Sequence, residues 1–79
     1  MIHAYMLLTL RPGKSEEIIT QISKVESVEK IAVVAGEFDA VVRVMVETLE
    51  DLLKVTDKIQ LIEGVKKTTT QVIEKEIAL

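Results

Sequence analysis

A four-residue turn near the middle of this 79-residue chain carries groups that could bind a small polar molecule. Its sequence is Gly36-Glu37-Phe38-Asp39, and it separates two apolar segments. A glycine lets another group approach the backbone closely, and Asp39 supplies a carboxylate that could meet an ammonium. The alternative interpretation is a plain hairpin turn, in which Asp39 hydrogen-bonds its own backbone.

Three consecutive threonines, Thr68 to Thr70, form the second polar segment. On a strand they place hydroxyls on both faces, although the β-propensity of threonine explains them equally well. Together the two segments suit an amino acid, whose carboxylate seeks N–H and hydroxyl donors and whose ammonium seeks acceptors. Val34 and Val41 could line an aliphatic side chain.

The sequence contains no recognisable group of catalytic or metal-binding residues. The chain has no cysteine and one histidine, His3, which cannot build a metal cluster or a catalytic triad alone. We expect Tyr5 to be a core tyrosine with a hydrogen-bonded hydroxyl, and Glu74 and Glu76 to be solvated on the last strand. The remaining carboxylates of interest fall in the first turns of predicted helices, which is a capping role: Glu16, Glu17, Glu50 and Asp51. The sequence therefore predicts no enzyme activity, no cofactor and no metal.

Charge and hydropathy narrow the range of partners. The net charge is −3 and the basic residues are scattered, which argues against direct nucleic-acid binding. A signal peptide, a basic amphipathic helix and a membrane-spanning run are all absent from the sequence, so we expect a cytoplasmic protein without membrane contact. The 29% charged residues and the absence of cysteine and asparagine hint at a thermophile.

Periodicity and turn residues predict six elements in the order βαββαβ, within one domain spanning residues 1–79. Apolar residues recur at helical spacing after Ser15 and after Thr48, which are the expected helix starts, and Gly64 is the expected C-cap of the second helix. The expected helix stripes are Ile18, Ile19, Ile22 and Val25, then Leu49, Leu52, Val55, Ile59 and Ile62. The predicted strands are Ile2 to Leu10, Val28 to Ala35, Ala40 to Val46 and Val65 to Ile77.

This order is typical of an α+β, ferredoxin-like fold, in which a four-stranded antiparallel sheet carries both helices on one face. The first and third predicted strands are apolar on both alternating sets, so the uncovered face of the sheet should also be apolar. A domain this small has a marginal core, and it has no cysteine for disulfides. We therefore expect a homodimer formed through the sheets.

Several motifs resemble one known family. The stop Arg11-Pro12-Gly13 after the first strand, the turn from Gly36 to Asp39, and Gly64-Val65 followed by Thr68 and Thr70 are similar to the C-terminal effector domain of Lrp/AsnC (feast/famine) regulators, called the RAM domain. Glu63 stands where that family usually has proline. The resemblance runs over nearly the whole chain.

The resemblance implies a dimer that assembles further, typically as a tetramer of dimers, with amino-acid effectors bound in clefts between dimers. By position, the implied ligand-binding residues are Gly36, Glu37, Phe38, Asp39, Thr68 and Thr70. Full-length relatives carry an N-terminal helix-turn-helix, for which this sequence has no counterpart. The expected function is thus that of a stand-alone amino-acid-sensing module, which acts on transcription of amino-acid metabolism through full-length Lrp/AsnC regulators or another partner.

Three other functions share the predicted fold. An ACT-type regulatory module also binds amino acids, although the Gly36 to Asp39 turn suits it less well. A purely structural oligomerisation domain would keep the turn and threonines for assembly alone. A small monooxygenase of the dimeric α+β barrel type would need a polar or aromatic pocket inside each subunit, and the sequence has only two aromatic residues, Tyr5 and Phe38.

Overall fold

The computed structural model describes all residues from 1 to 79 and has the predicted βαββαβ order. The elements are β1 (Ile2–Leu10), α1 (Ser15–Ser23), β2 (Val28–Val33), β3 (Ala40–Val46), α2 (Leu49–Gln60) and β4 (Val65–Val72). The strands form one sheet in the order β2-β3-β1-β4, and every neighbouring pair is antiparallel. The predicted α+β, ferredoxin-like fold is therefore confirmed.

The core lies between one face of the sheet and the two helices. Alternate residues of β1 and β3 point into it, because successive side chains of a strand face opposite sides. Ile18 and Ile22 of α1, and Leu52, Val55 and Ile59 of α2, close it from the helix side. All 14 buried residues of the chain are hydrophobic and form one cluster.

The opposite face of the sheet, which we call the open face, is not covered by either helix. It presents Tyr5 and Leu7 of β1 and Val41, Arg43 and Met45 of β3, all half-buried. The prediction that β1 and β3 are apolar on both sides holds only in part, because Arg43, His3 and Thr9 also belong to this set. Polar residues are tolerated there because this side of the sheet is not packed against helices.

The predicted helix starts differ in their capping. Thr48 is the N-cap of α2, as predicted, and its hydroxyl accepts a hydrogen bond from the N–H of Asp51 at 3.0 Å. Ser15 is the first residue of α1, whereas Lys14 occupies the cap position without a side-chain bond. Leu49, part of the predicted buried stripe, is 63% exposed because it lies at the first position of α2, beyond the edge of the core.

Two strands are shorter than predicted, and the register explains why. β4 pairs with β1 as far as Ala4 and Val72, and the N–H of Ile73 donates to the carbonyl of His3 at 2.8 Å. Since β1 begins at Ile2, β4 has almost no partner residues beyond this point and ends well before Ile77. β2 ends at Val33 because the chain turns there towards β3.

Gly64, the predicted C-cap, lies after the C-terminal end of α2, where Leu61 is the C-cap. Its φ of +100° is one that other residues rarely adopt, and a Cβ added there would lie 2.6 Å from Cδ1 of Ile18. The backbone thus favours glycine, and a Cβ at this position would displace the side chain of the buried Ile18. No helix of the structure is long and apolar enough to span a membrane.

Candidate functional site

The turn that contains Gly36 and Asp39 is fixed at its ends by backbone hydrogen bonds. It connects β2 to β3 over residues 34–39. The N–H of Val34 donates to the carbonyl of Asp39 at 3.0 Å, and the N–H of Asp39 donates to the carbonyl of Leu8 at 2.8 Å. The turn is therefore attached to β1 as well as to the strands it joins.

The carboxylate of Asp39 makes a bond that neither interpretation of the turn anticipates. Its Oδ2 accepts from the backbone N–H of Leu10 at 2.7 Å. The pairing of β1 with β4 shifts register between Thr9 and Leu10, and the carboxylate binds an N–H at this irregularity. Asp39 thus bonds the neighbouring strand and not its own backbone. Its other oxygen, Oδ1, has no partner within the chain and is accessible to solvent.

Gly36 has no conformational reason within the chain to be glycine. Only Gly13 and Gly64 have positive φ, and a Cβ added at Gly36 would meet no atom within 4 Å. Its neighbours in the turn are the exposed Glu37 and the half-buried Phe38. The space over the Gly36 backbone is therefore open to a group from outside the chain.

The two candidate threonines lie on the helix side of β4. Thr68 pairs with Leu8 and Thr70 with Met6, and both of these β1 residues point into the core. The hydroxyl of Thr68 donates to Oε1 of Gln60 on α2 at 2.7 Å. Thr69 lies on the open face, so the three hydroxyls alternate between faces as predicted.

The structure does not bring the turn and the threonines together. β1 lies between β3, which follows the turn, and β4, which carries Thr68 and Thr70. Asp39 bonds one side of β1 at Leu8 and Leu10, and Thr68 pairs with the other side at Leu8. Within one chain the turn and Thr68 flank the same end of β1 without contact.

The open face carries a polar cluster that the sequence did not predict. The guanidinium of Arg43 pairs with the carboxylate of Glu29 and, at 2.5 Å, with that of Glu76. The hydroxyl of Tyr5 donates to the other oxygen of Glu76 at 2.6 Å. Nδ1 of His3, which is buried without a hydrogen-bond partner, lies 3.6 Å from Glu29.

Glu76, predicted to be solvated on the last strand, is instead an acceptor in this cluster. The difference follows from the strand end, because the segment after Val72 leaves the sheet edge and crosses the open face. Tyr5 has the predicted hydrogen-bonded hydroxyl, although it lies on the open face and not in the core. The available signal was Arg43 itself, the only charge in the run from Ala40 to Val46.

The hydrogen bonds of the cluster shift its ionisation. The bond from Tyr5 and then the bond from Arg43 lower the pKa of Glu76, because both stabilise the carboxylate. The bond to Glu76 raises the pKa of Tyr5, and the same carboxylate raises the pKa of Arg43. The cluster is consequently held with Glu76 ionised and Tyr5 protonated at neutral pH.

A cavity of about 740 Å³ opens beside this cluster. Its polar wall contains Tyr5, Glu29, Arg43 and Glu76, and its apolar wall includes Val41. No group of three or more His, Asp or Glu side chains is placed to hold a metal ion. Arg43 in the wall is paired with Glu29 and Glu76, and Lys30 also lines the cavity.

Comparison with known protein families identifies the domain. Residues 3–78 match the model described as the Lrp/AsnC ligand binding domain. This chain belongs to that family. Curated relatives of the Lrp/AsnC ligand-binding domain include the HTH-type transcriptional regulator FL11 of Pyrococcus furiosus, 28% identical over 94% of this chain and 49% of the relative. The chain spans about half the length of the curated relatives it matches.

Solved structures agree with the family assignment. The hypothetical protein PHS023 from Pyrococcus horikoshii is 31% identical, with a TM-score of 0.86 over 96% of this chain and 93% of that one. TTHA0845 from Thermus thermophilus is 28% identical, with a TM-score of 0.91 over the whole of both chains. Escherichia coli AsnC, at 16% identity and a TM-score of 0.90, shares the fold over 99% of this chain and 54% of its own length.

Membership of the Lrp/AsnC ligand-binding domain family bears on two of the alternative functions that the sequence leaves open. The matched family is a ligand-binding domain, and the named relatives are transcriptional regulators and not enzymes. The monooxygenase and ACT-type interpretations therefore lose their support. A ligand-binding role and a purely structural role remain to be separated.

Proposed function

We propose that this chain is an amino-acid-sensing regulatory module that forms homo-oligomers. It would act on transcription of amino-acid metabolism through full-length Lrp/AsnC regulators or another partner. The matched family is a ligand-binding domain, and its relative FL11 is named an HTH-type transcriptional regulator. A feast or famine regulatory protein from M. tuberculosis, which shares this fold at 22% identity, is described as complexed with L-methionine.

The turn at Gly36 is the observation that carries the proposal. Gly36 has open space above its backbone and no positive φ, and Oδ1 of Asp39 is unpaired while Oδ2 holds β1. The turn thus exposes both the backbone of Gly36 and the free acceptor Oδ1 of Asp39. Neither of these two groups is needed for the fold of the turn itself. The exposed Glu37 and half-buried Phe38 complete the proposed binding turn.

Oligomerisation would supply the rest of the site. The turn and the threonines Thr68 and Thr70 lie on opposite sides of β1, so one chain cannot place them around one small ligand. We propose that two copies pair through their open faces and that such dimers assemble further, with the turns of neighbouring dimers facing each other. The cleft between dimers would then combine groups from different chains.

Replacing Asp39 by asparagine tests the site. Asp39→Asn keeps an acceptor for the N–H of Leu10 but removes the charge that an ammonium would meet. We expect amino-acid affinity to fall roughly ten- to hundredfold, as the loss of one charge-assisted bond predicts. The control is Glu47→Gln, which removes one charge from an exposed residue just beyond the opposite end of β3 and should change affinity less than about twofold. Calorimetric titration measures both variants beside the wild type.

Gly36→Ala separates ligand binding from folding. The added methyl group meets nothing in the chain and needs no unusual φ, so the melting temperature should stay unchanged. Ligand affinity should fall, because the methyl group occupies the space over the turn.

A structural role for the turn is the second candidate function, and the bond between Asp39 and Leu10 favours it. It predicts unchanged ligand behaviour for Asp39→Asn and Gly36→Ala, with any loss confined to stability or assembly. Light scattering on the same samples records the assembly. Full affinity in both variants, with the oligomer intact, would exclude the turn as the ligand site.

A further inference from the structure

The last six residues, 74–79, which we call the terminal segment, are attached to the sheet by one side chain. The last backbone bond of the chain runs from the N–H of Ile73 to the carbonyl of His3 at 2.8 Å, and residues 74–79 make none. Glu76 alone anchors the segment, through Tyr5 and Arg43. Such a segment can leave the sheet when two side-chain bonds break.

The terminal segment is poorly packed against its own chain. Ile77 is 67% exposed and Leu79 is fully exposed, although both are large hydrophobic residues. The cavity of about 740 Å³ is lined by Ile77 and Ala78 of the segment and by Ala32 and Val41 of the sheet. Apolar surface of both the segment and the sheet is therefore left in water.

The binding site for Glu76 lies on an inner strand of the open face. Arg43 belongs to β3, between β1 and β2, and its side chain is only 17% exposed. It keeps Glu29 as a second partner from its own chain whether or not Glu76 is bound. The guanidinium of Arg43 can thus donate a hydrogen bond to a carboxylate that approaches the open face from the solvent side.

We infer that two copies of this chain exchange their terminal segments, so that Glu76 of each chain bonds Tyr5 and Arg43 of the other. The inference rests on the proposed pairing of the open faces. Exchange costs no polar contact, because the same hydrogen bonds form in either arrangement. Pairing of the open faces buries Ile77 and Leu79 between the two chains, which a single chain cannot provide, and a segment held by one side chain can then follow either sheet.

Mixing two complementary variants tests the exchange. Arg43→Gln lacks the guanidinium and Glu76→Gln lacks the carboxylate, so neither homodimer can form the ion pair. A mixed dimer forms it once if the segments are exchanged, and never if each segment stays on its own chain. One variant is isotopically labelled, the two are refolded together, and native mass spectrometry counts the three kinds of dimer, including those released from larger assemblies.

We expect mixed dimers in excess. Random pairing makes about half of the dimers mixed, and one recovered ion pair should raise the ratio of mixed to homogeneous dimers by roughly 1.4- to 5-fold. The mixture should also melt at a higher temperature than either variant alone. If Arg43→Gln does not fold, Tyr5→Phe takes its place, because it leaves Glu29 paired with Arg43; the bond that only an exchanged mixed dimer recovers is then the one from the Tyr5 hydroxyl to the Glu76 carboxylate.

The matched control pairs Arg43→Gln with Glu74→Gln, which alters the same segment two residues away from the anchor. In this control the Arg43→Gln homodimer forms no exchanged ion pair, the mixed dimer forms one and the Glu74→Gln homodimer forms two. The mixed dimer therefore gains nothing over the average of the two homodimers, and pairing should stay random. Random pairing of the test variants in stable dimers would overturn the exchange and leave the face-to-face dimer standing. A wild-type chain that sediments as a monomer would overturn both.

Discussion

Arg43 illustrates how a single charged residue organises a sheet face. It interrupts an otherwise apolar strand, and its position in the alternation places it opposite the core residues Val42 and Val44. There it pairs with Glu29 from β2 and Glu76 from the terminal segment. The open face consequently combines apolar residues, among them Leu7, Val41 and Met45, with a polar centre that is internally paired.

The cluster gives stability a defined pH dependence. Folding lowers the pKa of Glu76, so Glu76 contributes fully to the free energy of unfolding above the usual glutamate pKa of about 4.3. This contribution is lost as pH falls through the lowered pKa. Folding raises the pKa of Tyr5, so Tyr5 contributes fully to the free energy of unfolding below pH about 10. This contribution is lost as pH rises through the raised pKa. We expect Glu76→Gln to destabilise the protein between these limits and to match the wild type in stronger acid.

Urea denaturation of wild type and Glu76→Gln across this pH range provides the measurement, with Glu74→Gln as the control for a change of charge in the same segment. A stability difference that persists undiminished well below the glutamate range would show that Glu76 does not act through its ionised form.

At the residue scale the turn is recognisable from sequence, but its bonds are not. Gly36 and Asp39 stand out by their spacing, whereas the bond from Leu10 to Asp39 depends on the register irregularity of β1 and β4. The contacts of Glu76 could not be predicted for a similar reason, because its partners Tyr5 and Arg43 are distant in sequence. Polar contacts between distant elements leave no local periodic signal.

Two glycines with positive φ join neighbouring elements, and they differ in what surrounds them. Gly13 has a φ of +81° and open space at its Cβ position, whereas Gly64 faces the buried Ile18. We expect Gly13→Ala to cost about 1–3 kcal/mol from backbone strain alone. Gly64→Ala should cost at least about 1 kcal/mol more, because Ile18 must move within a packed core.

Urea midpoints of the two glycine variants, at one fixed protein concentration, measure this difference. Equal destabilisation would mean that the close approach of α1 to Gly64 does not constrain the fold.

At the element scale, order and type are predictable because each element carries its own period. β1 and β3 have the predicted ends, and α2 begins after its predicted cap. β2 and β4 are shorter than predicted because their limits are set by where a neighbouring strand ends or the chain turns, which no local pattern encodes. Leu53 of α2 is 63% exposed because helical spacing places it away from the side that carries Leu52, Val55 and Ile59.

At the scale of the whole molecule, the open face and the marginal size of the chain call for association. We expect a homo-oligomer larger than a dimer in solution, because pairing of open faces leaves exposed apolar residues elsewhere, among them Val33, Leu53 and Leu61. Sedimentation velocity at micromolar concentration measures its size. A stable monomer would contradict the proposed assembly.

A thermal-shift screen of the twenty amino acids tests whether this chain binds an amino acid. A ligand at about 100 times its dissociation constant should stabilise the native protein by roughly 2.7 kcal/mol and raise the melting temperature. The D-enantiomer and the Asp39→Asn variant serve as controls, and both should show a smaller rise. If no amino acid raises the melting temperature of the wild-type oligomer, and calorimetry detects no binding, the chain is not an amino-acid-binding module.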